Sequence, residues 1–302
     1  MSHIEYTSTI KRYIQPIQLG NQMFASNLIQ APLAGVSCAP FRALIAQFGG
    51  AAYCVTEMVS AKTLLGKPEA RYIYKSPAEG PLCFQLSGNN ATELASAAIR
   101  AVEYGADLID LNCGCPVPKI RKKQAGSSWL ARSTHLAEVI RAIKAVINIP
   151  LSIKIRVDGQ SGDRFNLEVI HAAEDAGADF LIVHGRHWSE HYETPARLDE
   201  IAFIVQHSGL PVIGNGDVKD TPSLRKMFEV TGCQGIMIGR ASVGKPWLFQ
   251  QLQYEDQGLS YTPPCSTKIE ALLAQHIAGL SELEGPEIAT LQARKFAKYY
   301  QR

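Results

Sequence analysis

Ala106-Asp107-Leu108-Ile109-Asp110-Leu111-Asn112-Cys113-Gly114-Cys115-Pro116 is the stretch on which the fold turns. Ala106 to Leu111 is a short apolar run with the character of a buried strand. The run ends on Asn112 and on a thiol, Cys115, set between Gly114 and Pro116. Glycine admits backbone turns that a Cβ blocks, and proline fixes the exit. A basic loop follows, with Lys119, Arg121, Lys122 and Lys123. A thiol at the mouth of a strand, beside cationic side chains, suits acid–base work. A single cysteine is more often a small core filler, so a chemical reading of Cys115 depends on the rest of the chain.

Outward from this stretch the same unit repeats: a short apolar run, then a longer amphipathic one. The strand candidates are Leu28–Ala31, Ala52–Thr56, Leu82–Leu86, Leu108–Leu111, Leu151–Val157, Phe180–His184, Pro211–Gly214 and Gly235–Ile238. Ala91–Tyr104, Thr134–Ile147 and Leu167–Ala176 carry apolar residues three and four apart, and Gly105, Gly177 and Gly232 stand where helices should stop. Eight β-α units predict an α/β fold, a (β/α)8 TIM barrel. A doubly wound sheet is the alternative, disfavoured because no Gly-rich turn follows the first strand. The pattern changes after Gln253, where Asp256-Gln257-Gly258 and Pro263-Pro264 read as a linker. Lys268–Leu283 and Glu287–Arg302 then read as helices. The expected organisation is a barrel over 1–253 and a small C-terminal helical domain over 254–302.

Bulk properties set limits. The chain has 302 residues, 46% hydrophobic and 19% charged, enough for a large globular core. A net charge of +2 gives no global argument for nucleic acid, so any basic footprint must be local. Seven cysteines without repeated CxxC pairs fit reduced thiols and a cytoplasmic setting. The opening Met1-Ser2-His3-Ile4-Glu5 lacks a basic segment leading into an apolar core, so no secretory signal is expected. No apolar run reaches the ~20 residues that span a bilayer.

In a barrel the residues just after the strands share one face, where active sites sit. Here that face collects Pro32, Leu33 and Ala34, then Gln85, Asn112 and Cys115, then His184 and Arg186, and finally Asn215, Gly216, Asp217, Gly239 and Arg240. Lys154 and Arg156 lie at period two on the fifth strand, so both point into the barrel mouth. Buried cations need a partner or a ligand; Glu57 and Asp110 are the available acids. Gly214, Gly216 and Gly239 expose backbone N–H groups after the last two strands. With a helix starting near Ala241 and the Arg240 guanidinium, they predict a phosphate cradle. Gly239-Arg240-Ala241-Ser242-Val243-Gly244-Lys245 matches P-loop spacing, but Pro246 stands where a Mg²⁺-binding Ser or Thr is required. His184, His187 and His191 suggest zinc, yet Gly185 breaks the run and no acidic cluster accompanies them, so no metal is expected.

These residues carry a family resemblance. Ala31-Pro32-Leu33-Ala34-Gly35-Val36-Ser37, Pro40-Phe41-Arg42 and Thr56-Glu57-Met58 resemble the opening of tRNA-dihydrouridine synthases. Leu111-Asn112-Cys113-Gly114-Cys115-Pro116-Val117-Pro118-Lys119 is similar to their active-site signature. Ala125-Gly126-Ser127, Lys154-Ile155-Arg156, His184-Gly185-Arg186, Asn215-Gly216-Asp217 and Ile238-Gly239-Arg240 follow in family order. The Gly244-Lys245-Pro246-Trp247-Leu248-Phe249 run leans to the bacterial B-type branch.

The resemblance implies an FMN-bound barrel that reduces specific uridines in tRNA to 5,6-dihydrouridine using NADPH. A monomer is expected. It implies Cys115 as the proton donor and Pro32, Leu33, Ala34, Gln85, Asn112, Lys154 and His184 around the flavin. Asn215, Gly216, Asp217, Gly239 and Arg240 take its ribityl-phosphate end. Arg156 and Arg186 would face the base. Lys119, Arg121, Lys122 and Lys123, with Arg294, Lys298 and Arg302 four apart on the last helix, would meet RNA phosphates. Cys38 departs from the family, which has Asp at that position; a cysteine caps the following helix poorly. The alternatives are an FMN barrel acting on a free pyrimidine or other small molecule, and a tRNA-binding or folding factor with little turnover.

Overall fold

The computed structural model describes residues 12–159 and 164–301. Met1–Glu5 and Arg302, used above, lie outside the described residues. The first half of the chain runs β1 (Ile17–Leu19), β2 (Gln22–Phe24), β3 (Leu28–Gln30), α1 (Ala39–Phe48), β4 (Cys54–Val55), β5 (Val59–Ser60), α2 (Ala61–Leu65), α3 (Ala70–Ile73), β6 (Leu82–Ser87) and α4 (Ala91–Glu103). Then come β7 (Leu108–Cys113), α5 (Pro118–Arg121), α6 (Ser133–Lys144), β8 (Leu151–Arg156), α7 (Arg164–Asp175), β9 (Phe180–His184) and α8 (Leu198–His207). The chain continues as β10 (Val212–Asn215), α9 (Thr221–Thr231), β11 (Gly235–Ile238), α10 (Leu248–Asp256), α11 (Ser266–Glu284) and α12 (Pro286–Tyr300).

Eight parallel strands, β3, β4 and β6 to β11, close on themselves through the β11–β3 and β4–β6 pairings. This is the expected TIM barrel. β10 starts at Val212 rather than Pro211, because proline has no N–H for the ladder; its carbonyl still accepts from Leu181 at 2.9 Å. β7 extends two residues beyond expectation, which sets Asn112 opposite Lys154 and Cys113 opposite Ile155. Gly232 ends α9 in the left-handed conformation at φ 68°, as its position predicts. The β1–β2 hairpin was not expected: strands of three residues give too short a pattern to read. Its Ile17, Leu19 and Phe24 plug the barrel floor against Tyr53, Phe180 and Met237.

Above that plug the lumen turns polar in layers. Asp110 faces Ser152, Asn112 stands beside Lys154, and Arg156 beside His184. The predicted change of character at Gln253 falls inside α10, which runs on to Asp256. The Asp256 carboxylate is buried and accepts the Tyr13 and Ile14 N–H groups at 2.8 Å, so the N-terminal segment holds that last turn in place. Pro263 and Pro264 lie in the segment without regular secondary structure before α11. α11 and α12 form an antiparallel pair that packs on α1, with His276 buried among Phe41, Phe296 and Tyr300. Among the described residues no helix is long and apolar enough to cross a membrane.

Candidate active site at the barrel mouth

A cavity of about 910 Å³ opens at the C-terminal ends of the strands. That is large enough for a sizeable ligand. Its floor is one directed hydrogen-bond relay. Asp110, fully buried, accepts from Ser152 Oγ at 2.7 Å and from Gln85 Nε2 at 2.8 Å. Gln85 Oε1 accepts from Asn112 Nδ2 at 2.9 Å, and Asn112 Oδ1 accepts from the Cys115 N–H at 2.9 Å. An ionised carboxylate only accepts, so Asp110 fixes which way both amides point. The relay ends on the backbone of the cysteine.

Cys115 itself is half-buried at the cavity wall. Its carbonyl accepts from the Ser127 N–H at 3.0 Å, and Gly126, at φ 62°, passes so close that a Cβ would lie 2.6 Å from that oxygen. The Ala125-Gly126-Ser127 segment therefore clamps the thiol loop from behind. Arg156 flanks the loop from β8 and donates to the His187 carbonyl at 3.0 Å. The other cysteine of the stretch, Cys113, is fully buried, and burial pushes its thiol well up.

Lys154 enters the cavity from the strand without a hydrogen-bond partner among the described residues. Burial lowers it to about 8, Arg156 adds to the lowering, and Asp110 opposes it. Burial pushes Asp110 up to about 6, against its hydrogen bonds from Ser152 and Gln85 and the charge of Lys154. Of the two acids considered for these cations, Asp110 is the one that faces Lys154. Glu57 instead binds Arg71 and the Gly35 N–H.

His184 is buried, and burial together with Lys154, Arg156, Arg186 and Arg240 drives its imidazole far down, so the ring is neutral. Arg186 NH1 lies 3.2 Å from its Nε2; a guanidinium can only donate, which leaves the proton on Nδ1. Arg186, expected to face substrate, lines the cavity and is 1% exposed, held by the Thr194 and Tyr192 carbonyls, His184, and both carboxylate oxygens of Asp217 at 2.5 Å. Asp217 also accepts from Arg240 at 3.1 Å. Its carboxylate is held low despite partial burial, by Arg186 and the Ala196 N–H.

At the phosphate cradle, the expected helix starting near Ala241 is a single 3-10 turn, Arg240–Ser242; α10 begins only at Leu248. Gly244 and Pro246 prevent an earlier start. Gly214 also departs from expectation: it points outward, where a Cβ would meet Cys233 and Met227 at 3.0 Å, so it serves strand–helix packing. The remaining features fit an anion. The N–H groups of Gly216, Asp217, Gly239, Arg240 and Ala241 meet no acceptor among the described residues. They gather at the wall where Arg240 and Lys219 add charge. Such a nest of orphan donors is what a phosphate satisfies.

The basic loop divides. Lys119, Lys122 and Lys123 are exposed, whereas Arg121 is half-buried and stacks at 3.3 Å on the Trp188 ring. Arg294 and Lys298 are exposed on α12. Their neighbours Lys295 and Tyr299 reach the cavity itself, as do Met58 and the exposed Tyr192. Sequence reading assigned none of the four to the site, although Met58 stands in the Thr56-Glu57-Met58 motif; nothing local marks a helix near the C-terminus as a wall of the barrel mouth. Cys38 caps α1 without a side-chain hydrogen bond, as its thiol predicts.

A family model described as dihydrouridine synthase matches residues 29–302. The tRNA-dihydrouridine synthase B of Pseudomonas putida is 35% identical over 288 residues, covering 94% of this chain and 85% of that protein. That of Vibrio parahaemolyticus is 33% identical, covering 94% and 89%. Among solved structures, an old yellow enzyme homologue from Zymomonas mobilis superposes with a TM-score of 0.60 at 14% identity, covering 86% of this chain and 96% of that one. Histamine dehydrogenase from Rhizobium sp. gives 0.64 at 14% identity over 89% of this chain and 51% of that one. These two likenesses concern the barrel fold.

Proposed function

This chain belongs to the dihydrouridine synthase family, and from that premise we propose that it reduces specific uridines of tRNA to 5,6-dihydrouridine. FMN is the proposed cofactor and NADPH the reductant, with the protein acting as a cytoplasmic monomer without a metal. The residues present fit FMN. The orphan N–H groups of Gly216, Asp217 and Gly239 to Ala241, with Arg240, would take its phosphate, and Asn215 would line the ribityl path. Pro32, Leu33, Ala34, Gln85, Asn112, Lys154 and His184 would surround the ring. When bound and reduced, the flavin supplies hydride to C6 of the uracil.

The chain's own groups do the rest. The Cys115 Sγ–H gives its proton to C5 of the base, at a thiol kept in place by Asn112 through the backbone N–H. Arg156 stands beside that thiol and stabilises the charge left on it. The Lys154 ammonium offsets negative charge that builds in the cavity, where low dielectric makes it count most. Neutral His184, held by Arg186, donates through Nδ1. The target uridine must leave its stack to enter the cavity. Lys119, Lys122, Lys123, Arg294 and Lys298 would meet phosphates around that entrance. We take 254–302 as the tRNA-binding appendage.

The observation that carries this reading is the convergence of a clamped cysteine, a half-buried lysine without a hydrogen-bond partner among the described residues and a nest of unsatisfied N–H donors on one cavity. Purified protein should be yellow with FMN. Cys115→Ala should keep the FMN and lose nearly all dihydrouridine formation, by about 10²-fold or more. Full activity in that variant would remove Cys115 from the chemistry. Charge reversal at Lys122 and Lys123 separates tRNA from a free pyrimidine as substrate, since only the former needs those exposed cations.

A further inference from the structure

Gly35 is gripped on both of its flanking peptide units. Its N–H donates to Glu57 Oε2 at 2.7 Å, and its carbonyl accepts from Lys295 Nζ of α12 at 3.1 Å. Glu57 Oε1 in turn accepts from Arg71 at 2.5 Å. The other arm of Arg71 binds Glu284 at the end of α11, whose second oxygen accepts from Gln292 Nε2 at 2.8 Å. All four carboxylate oxygens are thus occupied. The three side chains are 6%, 12% and 7% exposed in the order Glu57, Arg71, Glu284. A buried arrangement of this kind cannot rotate without stranding a charge, so it holds one geometry.

Neither Arg71 nor Glu284 lines the cavity, yet the loop they hold does: Pro32, Leu33, Ala34 and Val36 form its wall. In a planar trans peptide the Ala34 carbonyl faces away from the N–H of Gly35. The Glu57 grip therefore sets the direction of that carbonyl. Ser37 Oγ, bonded to both the N–H and the carbonyl of Leu33, makes the loop a rigid turn that moves as a unit.

Resting on the flavin reading above, we propose that Arg71 is a positioning residue: it ties the α11–α12 pair to the 32–36 loop and so tunes how the barrel binds FMN. RNA contacts on α12 and flavin binding are then linked through the same residue, Gly35, and linkage of this kind is reciprocal.

The test uses the full chain and titrates FMN by fluorescence quenching, with the visible flavin spectrum and the thermal midpoint recorded for each variant. Arg71→Met should weaken FMN about five- to tenfold and shift the flavin band. Arg71→Lys should restore part of both. Glu284→Gln, on the helical pair and isosteric, should move both in the same direction, and the double variant should be little worse than Arg71→Met alone. Unchanged FMN affinity and spectrum in folded Arg71→Met and Glu284→Gln, with only the thermal midpoint lowered, would overturn the assignment while leaving the flavin reading intact. Wild-type protein that takes up no FMN would overturn both.

Discussion

Lys154 and Asp110 concentrate the chemistry of the lumen. Burial lowers Lys154 to about 8, so its ammonium is present at pH 7 and is lost as pH rises through that value. FMN is an anion, and its affinity should fall between about pH 7 and 9. Lys154→Met should bind FMN more weakly at pH 7 and lack that alkaline limb; a flat wild-type titration would contradict the assignment. Asp110 acts at a distance. Asp110→Asn presents a donor or acceptor of undetermined sense to Gln85, so the amides of Gln85 and Asn112 are free to flip. We expect kcat to fall by about tenfold or more while tRNA affinity holds, measured by steady-state kinetics. Gly126 shows what sequence alone conveys at this scale. The Ala125-Gly126-Ser127 motif was visible, but its reason, a Cβ 2.6 Å from the Cys115 carbonyl, was not. Gly126→Ala should cost about 1–3 kcal/mol of stability in a urea titration and displace the thiol loop.

At the level of elements, the strands were legible because their apolar runs are short, evenly spaced and followed by helices that end on glycine. Even the departures had local causes: Pro211 lacking an N–H, and Gly244 with Pro246 delaying α10. Elements fixed by distant contacts were not legible. The β1–β2 hairpin is ordered by the barrel floor it plugs, and the last turn of α10 by the backbone of Tyr13 and Ile14. Gly244 is a further case, the glycine that completes the P-loop spacing from Gly239 to Lys245. It sits at φ 79°, where a Cβ would lie 2.4 Å from the Tyr299 backbone, so it is the seat on which α12 rests. Gly244→Ala should lift α12 and expose the 257–265 segment to limited proteolysis, while the barrel stays resistant. The N-terminus of α1 offers the opposite change. Cys38→Ser supplies the missing cap acceptor and should add about 0.5–1 kcal/mol in thermal unfolding, with activity unchanged.

Across the whole molecule, a barrel supplies rigidity and a helical pair supplies one wall of its mouth. The residues that bear on the cavity were largely readable, because strand ends in a barrel converge by topology. Lys295 and Tyr299 were not, since their approach depends on how α11 and α12 fold back over α1. The same docking brings the exposed Lys295 of α12 to the cavity that Cys115, Pro116 and Val117 also line. We propose that this opening holds FMN and delivers a uridine of tRNA to Cys115. An anaerobic single turnover tests it most directly: protein reduced by NADPH is mixed with tRNA lacking dihydrouridine, and the oxidised-flavin band is followed while dihydrouridine is counted. The band should return with one dihydrouridine formed per flavin in the wild type, and neither should occur at a comparable rate in Cys115→Ala. Reduced protein that binds tRNA and stays reduced would contradict the proposal.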